Sequence, residues 1–154
     1  MNVYLVQHAK SAPKGSDPDQ SLTEIGLSEA EKVAEYITRH GDVKIKTITH
    51  SGKVRARQTA EVFYEALSGV KAIAAVKDLE PMADPSNWID RLNLMDDDIM
   101  LVGHLPHLSR LASLLVCGDP EIEVVKYQNA AVVCLGQNET GTWSVRWLIH
   151  PGLV

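Results

Sequence analysis

Residues 98–103 have the sequence Asp-Ile-Met-Leu-Val-Gly, a nearly uninterrupted apolar run that ends in glycine. Such a run is typical of a strand that is covered on both faces, because a strand with one face in water alternates apolar and polar residues. The segment 2–7 is a second short apolar stretch, rich in valine, tyrosine and leucine, and it also predicts a buried strand. We therefore expect a sheet with helices packed on both of its faces.

Strand and helix patterns alternate along most of the chain. The predicted strands cover about 2–7, 46–49, 72–76, 98–103, 130–136 and 142–149, and the predicted helices about 23–40, 51–67, 85–94 and 106–115. The last two strands are separated by a turn at 138–141 and form a hairpin. This order predicts the α/β class, as a three-layer α/β/α sandwich with a mostly parallel mixed sheet. No repeat or long linker divides the chain, so residues 1–154 are expected to form a single domain.

The charge balance limits the classes of partner. There are 20 acidic and 15 basic residues, which gives a net charge of −5, whereas nucleic acids and anionic membranes bind basic faces. We therefore expect no nucleic acid and no membrane as partners, although a small basic pocket is compatible with this balance. Cys117 and Cys134 are too few for a disulfide framework or a zinc site. Because residues 1–6 also lack the pattern of a signal peptide, we expect a cytoplasmic protein.

Chemically capable residues follow three of the predicted strands. His8 comes directly after the first strand, Arg55 lies in the segment after the second, and His104 follows the strand at 98–103. Ligands of open α/β sheets bind beyond the carboxyl ends of the strands, so these side chains are expected to converge. A neutral imidazole is a nucleophile near pH 7, and an arginine at a helix amino terminus suits phosphoryl oxygens. His104, when protonated, would supply a second donor. The trio therefore suits phosphoryl transfer through histidine.

Three blocks carry a resemblance to a known family. They are Gln7-His8-Ala9, the segment 51–60 (Ser-Gly-Lys-Val-Arg-Ala-Arg-Gln-Thr-Ala), and Gly103-His104-Leu105-Pro106. They resemble the signature blocks of the histidine phosphatase superfamily, which are Arg-His-Gly or Arg-His-Ala, Ser-x-x-x-Arg-Ala-x-Gln-Thr, and Gly-His-x-Pro. Their order and spacing match along nearly the whole chain. The short phosphohistidine phosphatases of the SixA type, which lack long inserted lids, are the most similar group.

The resemblance implies a phosphoglycerate mutase-like fold and a two-step hydrolysis without metal or cofactor. By this resemblance His8 is the nucleophile that becomes phosphorylated, and Arg55 and His104 bind the phosphoryl oxygens of the substrate. Gln7 would also contact the substrate. Water would then hydrolyse the phosphorylated His8. Glu80 and Asp78 are the candidates for a general acid by their position.

The chain departs from the family pattern at two positions. Gln7 stands where the family has the arginine before the nucleophile, and Gln20-Ser21 stands where a second arginine is common. A guanidinium about 4 Å from a phosphoryl group is worth up to about 4 kcal/mol at an effective dielectric constant of 20. Lys10, Lys14 or Lys53 could replace part of that charge. Phosphate or another oxyanion is still expected to bind in the pocket.

The weak candidates for a general acid favour one class of substrate. An alkyl phosphate expels a strongly basic alkoxide and needs a proton donor, whereas a phosphohistidine expels an imidazole, which is a better leaving group. The sequence therefore favours a phosphohistidine-bearing protein as the substrate. Two alternatives stay open, namely a general small phosphomonoesterase and a non-catalytic module that binds phosphate or a phosphoprotein.

Several other residues have structural interpretations. His50 adjoins the second block but is expected to be structural, and His107 is expected at the surface or at a helix start. The pair His104 and His107 has no third ligand at a suitable spacing, so a metal site is not expected. Trp143 and Trp147 are four residues apart and are expected on one face of the last strand.

Overall fold

The computed structural model describes residues 1–154. Its strands and helices are β1 (Asn2–Gln7), α1 (Glu24–His40), β2 (Thr47–His50), α2 (Val54–Ala66), β3 (Ala72–Ala75), α3 (Ser86–Asn93), β4 (Ile99–Gly103), α4 (His107–Cys117), β5 (Val132–Gln137) and β6 (Trp143–Ile149). Short 3₁₀ turns cover Lys77–Leu79 and Pro151–Leu153. Every predicted strand and helix is present, with ends that differ by a few residues. The structure contains no helix that combines the length and apolar character needed to cross a membrane.

The six strands form one mixed sheet in the order β3-β2-β4-β1-β5-β6. The neighbours β3 and β2, β2 and β4, and β4 and β1 are parallel, whereas β5 is antiparallel to both β1 and β6. The predicted mixed and mostly parallel sheet is therefore confirmed. Because the four parallel strands run in one direction, their carboxyl ends meet at one edge of the sheet, with β4 between β2 and β1.

Two apolar cores lie on opposite faces of the sheet. Alternate strand residues such as Tyr4 and Val102 face α1 and α2 on one side, together with Phe63 of α2. Leu5 and Leu101 face α3 and α4 on the other side. All five of these side chains are at least 98% buried, which accounts for the continuous apolar run in β4. The three-layer arrangement is confirmed, with one pair of helices on each face.

The two tryptophans of β6 lie on opposite faces, so the prediction that they share a face is wrong. Trp143 belongs to the core beneath α3 and α4, whereas Trp147 packs beside the core beneath α1 and α2. The pairing of β5 with β6 shifts between Cys134 and Leu135, which pair with Trp147 and Val145. This β-bulge adds one residue to β6, and the extra residue reverses the alternation of its side chains.

The start of α1 holds the segment that follows β1. Thr23 caps the helix, as its side chain accepts a hydrogen bond from the amide of Gly26 at 3.0 Å, while its own amide donates to the Lys10 carbonyl at 3.0 Å. A Cβ at Gly26 would lie 2.0 Å from the same carbonyl oxygen. Glycine is therefore required at this position, because any side chain would push the Lys10 backbone away from the helix. The close contact fixes the loop two residues after His8.

Candidate active site

The sheet brings three residues together that are far apart in sequence. β4 lies between β2 and β1, so His104 at its end is flanked by the start of α2 and by His8. The rings of His8 and His104 are 5.0 Å apart between centroids. The Nε of Arg55 lies 3.2 Å from Nε2 of His8. The expected convergence of His8, Arg55 and His104 is therefore present in the structure.

The hydrogen bonds of His8 define its tautomer. Its Nδ1 lies 2.8 Å from the carbonyl oxygen of Ala9, and because a carbonyl only accepts, Nδ1 carries the proton. Nε2 accepts a hydrogen bond from Arg55 and therefore holds a lone pair. Burial and, to a lesser degree, the charge of Arg55 lower the pKa of His8 below its usual value. The ring is thus neutral near pH 7, with its nucleophilic nitrogen on the side of Arg55.

His104 is buried and neutral, which differs from the protonated donor considered above. Its Nε2 lies 2.6 Å from Oγ of Ser51, and its Nδ1 is buried without a partner. Burial first, and then the nearby charges of His8, Arg55 and Lys53, lower the pKa of His104 to about 3. Ser51 Oγ also accepts from the Lys53 amide at 3.4 Å, so the same hydroxyl joins the start of α2 to the His104 ring.

Arg55 lies in the first turn of α2. One of its terminal nitrogens donates to the side chain of Gln20 at 3.3 Å, in addition to the contact of Nε with His8. No side chain caps α2 at Lys53, and the first N–H groups of a helix have no partner within it. The guanidinium and the helix amino terminus therefore place fixed donors next to His8, an arrangement that suits an anion such as phosphate.

Three further residues, Ser51, Thr59 and Asn129, support this arrangement. Thr59 accepts from the amide of Ala9 at 3.0 Å and donates to the carbonyl of Arg55 at 2.8 Å, so it ties α2 to the nucleophile's loop. Asn129 donates to the carbonyl of His8 at 3.0 Å. Ser51 and Thr59 lie in the second sequence block, which could have indicated their roles. Nothing in the pattern around Asn129 points to the site, since its contact spans 121 positions.

Gln7 ends β1 beside the nucleophile. Its backbone is held by Ala131, which accepts from the Gln7 amide at 3.1 Å, and by Ala130, whose amide donates to its carbonyl at 3.1 Å. Its side-chain oxygen is buried without a hydrogen-bond partner. The position usual for an arginine thus carries a neutral amide with unused hydrogen-bonding capacity.

The two candidate acids have different surroundings. The carboxylate of Asp78 forms an ion pair with Arg91, and its carbonyl accepts from the indole of Trp88 at 3.1 Å. Glu80 is exposed and forms no ion pair, and it lines a cleft of about 440 Å³ together with Ser51 and Lys53. Glu80 thus shares a cleft with Ser51, which contacts His104, whereas the carboxylate of Asp78 is held by Arg91.

Other histidines occupy structural positions, one of them unexpected. His50 is buried and its Nδ1 accepts from the amide of Gly52 at 3.1 Å, in agreement with a structural role. His107 begins α4, which is one of the two positions expected for it, but its side chain is buried, with 1% exposed. The cis Leu105–Pro106 bond precedes it, and both of its ring nitrogens lack hydrogen-bond partners. The structure contains no group of three or more His, Cys, Asp or Glu side chains placed to hold a metal ion.

Substituting His107 by leucine is expected to reduce the loss of stability at acidic pH. Burial lowers the pKa of His107 to about 4, against the opposing effect of Asp78. Between pH 6.5 and 4 the unfolded chain therefore binds more protons than the native protein, so the free energy of unfolding falls as the pH falls. From pH 7.5 to pH 5, this group alone should cost about 2 kcal/mol in the wild type. Urea titrations at both pH values would measure the difference.

The exposed His40 provides the control for that experiment. His40→Ala should keep the pH dependence of the wild type, because its ring is exposed at the end of α1. The neutral His104 contributes equally to the acid sensitivity of the wild type and of His40→Ala. If the free energy of unfolding fell equally between pH 7.5 and pH 5 in the wild type and in His107→Leu, His107 would be solvated in its native position.

Comparison with known proteins gives one family and one fold. The family model described as histidine phosphatase superfamily (branch 1) matches residues 3–82. The structure is similar to that of the protein histidine phosphatase SixA complexed with tungstate, with a TM-score of 0.85 and 23% identity over 99% of both chains. No curated protein sequence matches the chain.

Two further solved structures share the fold. A protein assigned as phosphohistidine phosphatase SixA from Agrobacterium tumefaciens has a TM-score of 0.76 and 23% identity over 98% of both chains. A phosphoglycerate mutase from Plasmodium falciparum has a TM-score of 0.67 and 14% identity, covering 95% of this chain and 88% of its own. The phosphoglycerate mutase-like fold implied by the sequence blocks is therefore confirmed.

Proposed function

Since the chain belongs to the histidine phosphatase superfamily, we propose that it is a protein phosphohistidine phosphatase that works through a phosphorylated His8. The observation that carries the proposal is the state of His8. Its Nδ1 is bound to a carbonyl oxygen and its Nε2 is an unprotonated acceptor next to Arg55. A neutral nucleophile beside a fixed guanidinium is what attack on a phosphoryl group requires.

In the first step, Nε2 of His8 forms a bond to phosphorus while the bond from phosphorus to the substrate nitrogen breaks. Arg55 and the amino terminus of α2 stabilise the negative charge on the transferred oxygens. With the Ser51 hydroxyl donating to Nε2, neutral His104 would contribute a donor through Nδ1, the ring atom that lacks a partner in the structure. In the second step, a water oxygen attacks phosphorus and the bond to Nε2 breaks, which releases phosphate and restores neutral His8.

The leaving group favours phosphohistidine over alkyl phosphates. Asp78 is held by Arg91, and Glu80 is exposed to solvent without an ion pair that would position its carboxyl group. An alkoxide leaving group needs a positioned acid, whereas an imidazole leaves readily and can take its proton from water or from Glu80. The solved structure with bound tungstate supports a pocket for oxyanions in this fold.

The test compares two classes of substrate in one assay. Phosphate release is measured from a phosphohistidine-bearing protein and from an alkyl phosphomonoester, and the enzyme is quenched during turnover for mass spectrometry. We expect turnover of the phosphohistidine to be at least about 100-fold faster, because the site has no positioned acid to protonate the leaving group of an alkyl ester. We also expect the mass spectrum to show a phosphoryl group on His8. Equal turnover of both would favour the general phosphomonoesterase. Oxyanion binding without any turnover would identify a binding module.

Replacing Gln7 by arginine is expected to raise kcat/KM for a phosphohistidine protein about tenfold. The substitution adds a cation beside the phosphoryl site, and comparable electrostatic donors are worth 10²–10³ in rate when they are removed. Gln7→Met is the matched control, because it removes the unpartnered side-chain oxygen without adding charge. The same gain in both variants would mean that the burial of that oxygen, and not the missing charge, limits the rate.

A further inference from the structure

A cleft of about 440 Å³ lies at the edge of the sheet, beside the residues described above. It is lined by Ser51, whose hydroxyl contacts His104, and by Lys53 at the start of α2. Lys77 and Glu80 line it from the segment after β3. Ser51 therefore belongs both to this cleft and to the surroundings of His104.

The charges of this cleft are unpaired. Neither Lys53 nor Lys77 belongs to any of the six ion pairs of the molecule, whereas Lys44 and Lys46 each pair with an aspartate. Glu80 lines the same cleft but lies beyond ion-pair distance of both lysines. Lys53 is also close enough to His104 for its charge to contribute to the lowered pKa of that ring. Two lysines outside any ion pair thus line a cleft that Ser51 also lines, on a chain whose net charge is −5.

On the side of the sheet the cleft is bordered by an edge strand. β3 pairs only with β2, and all four of its residues, Ala72–Ala75, are exposed. Of this strand only Ala75 lines the cleft, and Gly52, which has φ of +83°, adds no Cβ to it. The cleft therefore borders an unpaired strand edge, the kind of edge to which an extended segment of another protein can add.

We propose that the cleft binds an acidic segment next to the phosphohistidine of the substrate protein, with Lys53 and Lys77 as the residues that select it. This inference rests on the proposed function and adds the class of substrate. Carboxylates flanking the phosphohistidine would meet the two free lysines, while the acidic remainder of this chain would repel the same partner elsewhere. The lysines therefore orient the substrate as well as attract it.

The experiment uses two peptides that carry the same phosphohistidine, one flanked by aspartate and glutamate and the other by asparagine and glutamine. The quantity compared is the ratio of their kcat/KM values, which cancels any general effect of a substitution. We expect the wild-type ratio to favour the acidic peptide about fivefold at low salt, as two exposed ion pairs provide. The ratio should approach one at high salt.

Reversing the charge of Lys77 tests whether this lysine selects the acidic peptide. Lys77→Glu should lower the ratio to about one, because the added carboxylate repels the acidic peptide as strongly as Lys53 attracts it, whereas Lys71→Glu at the opposite end of β3 should keep the wild-type ratio. Turnover of both peptides with a wild-type ratio of one, or a ratio unchanged in Lys77→Glu, would overturn the inference and leave the proposed function standing. No turnover of either peptide or of phosphoramidate by the wild type would instead overturn the proposed function, and the inference with it.

Discussion

Phosphate release from a phosphohistidine protein is expected to fall more than about 10⁴-fold when His8 is replaced by alanine, as happens when a nucleophile is removed. The reason is that no other side chain beside Arg55 offers an unprotonated nitrogen. His104 is neutral, but its Nε2 is bound to Ser51 at 2.6 Å. Steady-state phosphate release and mass spectrometry of the quenched enzyme measure the loss and the absence of a phosphoryl group.

Two controls separate loss of the nucleophile from loss of the site. His8→Ala should still bind tungstate, because Arg55 and the amino terminus of α2 remain, and His40→Ala should keep full activity. In the wild type, kcat/KM should stay level as the pH falls through 6.5, because burial lowers the pKa of His8, and should fall only at lower pH. Activity in His8→Ala within tenfold of the wild type would exclude His8 as the nucleophile.

The sequence predicts most of the fold because its strong signals are local. The apolar run in β4 and the capping residue Thr23 each depend on neighbours a few residues away, and both elements appear where the pattern places them. The faces of Trp143 and Trp147 could not be predicted in this way. A bulge in β6 determines which face each tryptophan occupies, and this bulge depends on how β5 pairs with β6.

The positions of the converging residues can also be predicted from the sequence, whereas their protonation states cannot. Parallel strands place their carboxyl ends at one edge, so the positions of His8, Arg55 and His104 follow from the topology. Their protonation follows from burial and from charges across the sheet, which no spacing reveals. This is why a neutral His104 with a pKa of about 3 and the buried ring of His107 emerged only from the structure.

Arg55→Ala is expected to lower kcat/KM for a phosphohistidine protein by about 10²–10³-fold, the usual cost of removing a positioned electrostatic donor. The side chain has two contacts to lose, since Nε donates to His8 at 3.2 Å and a terminal nitrogen donates to Gln20 at 3.3 Å. Arg55→Lys should restore only part of the rate, because an ammonium keeps the charge but not the planar fork.

The pH profile distinguishes this role from a loss of folding. The charge of Arg55 is one of the causes that lower the pKa of His8, so in Arg55→Ala the acidic limb of the kcat/KM profile should move to higher pH. Arg57→Ala, two positions along α2 at an exposed site, should change neither the rate beyond about twofold nor the limb. If Arg55→Ala lost activity while the limb stayed in place, Arg55 would act on the phosphoryl group without influencing His8. The contact between Nε and Nε2 would then not exist in solution. A shift of the limb together with the loss of rate would instead show that one guanidinium both holds the phosphoryl oxygens and keeps the nucleophile unprotonated.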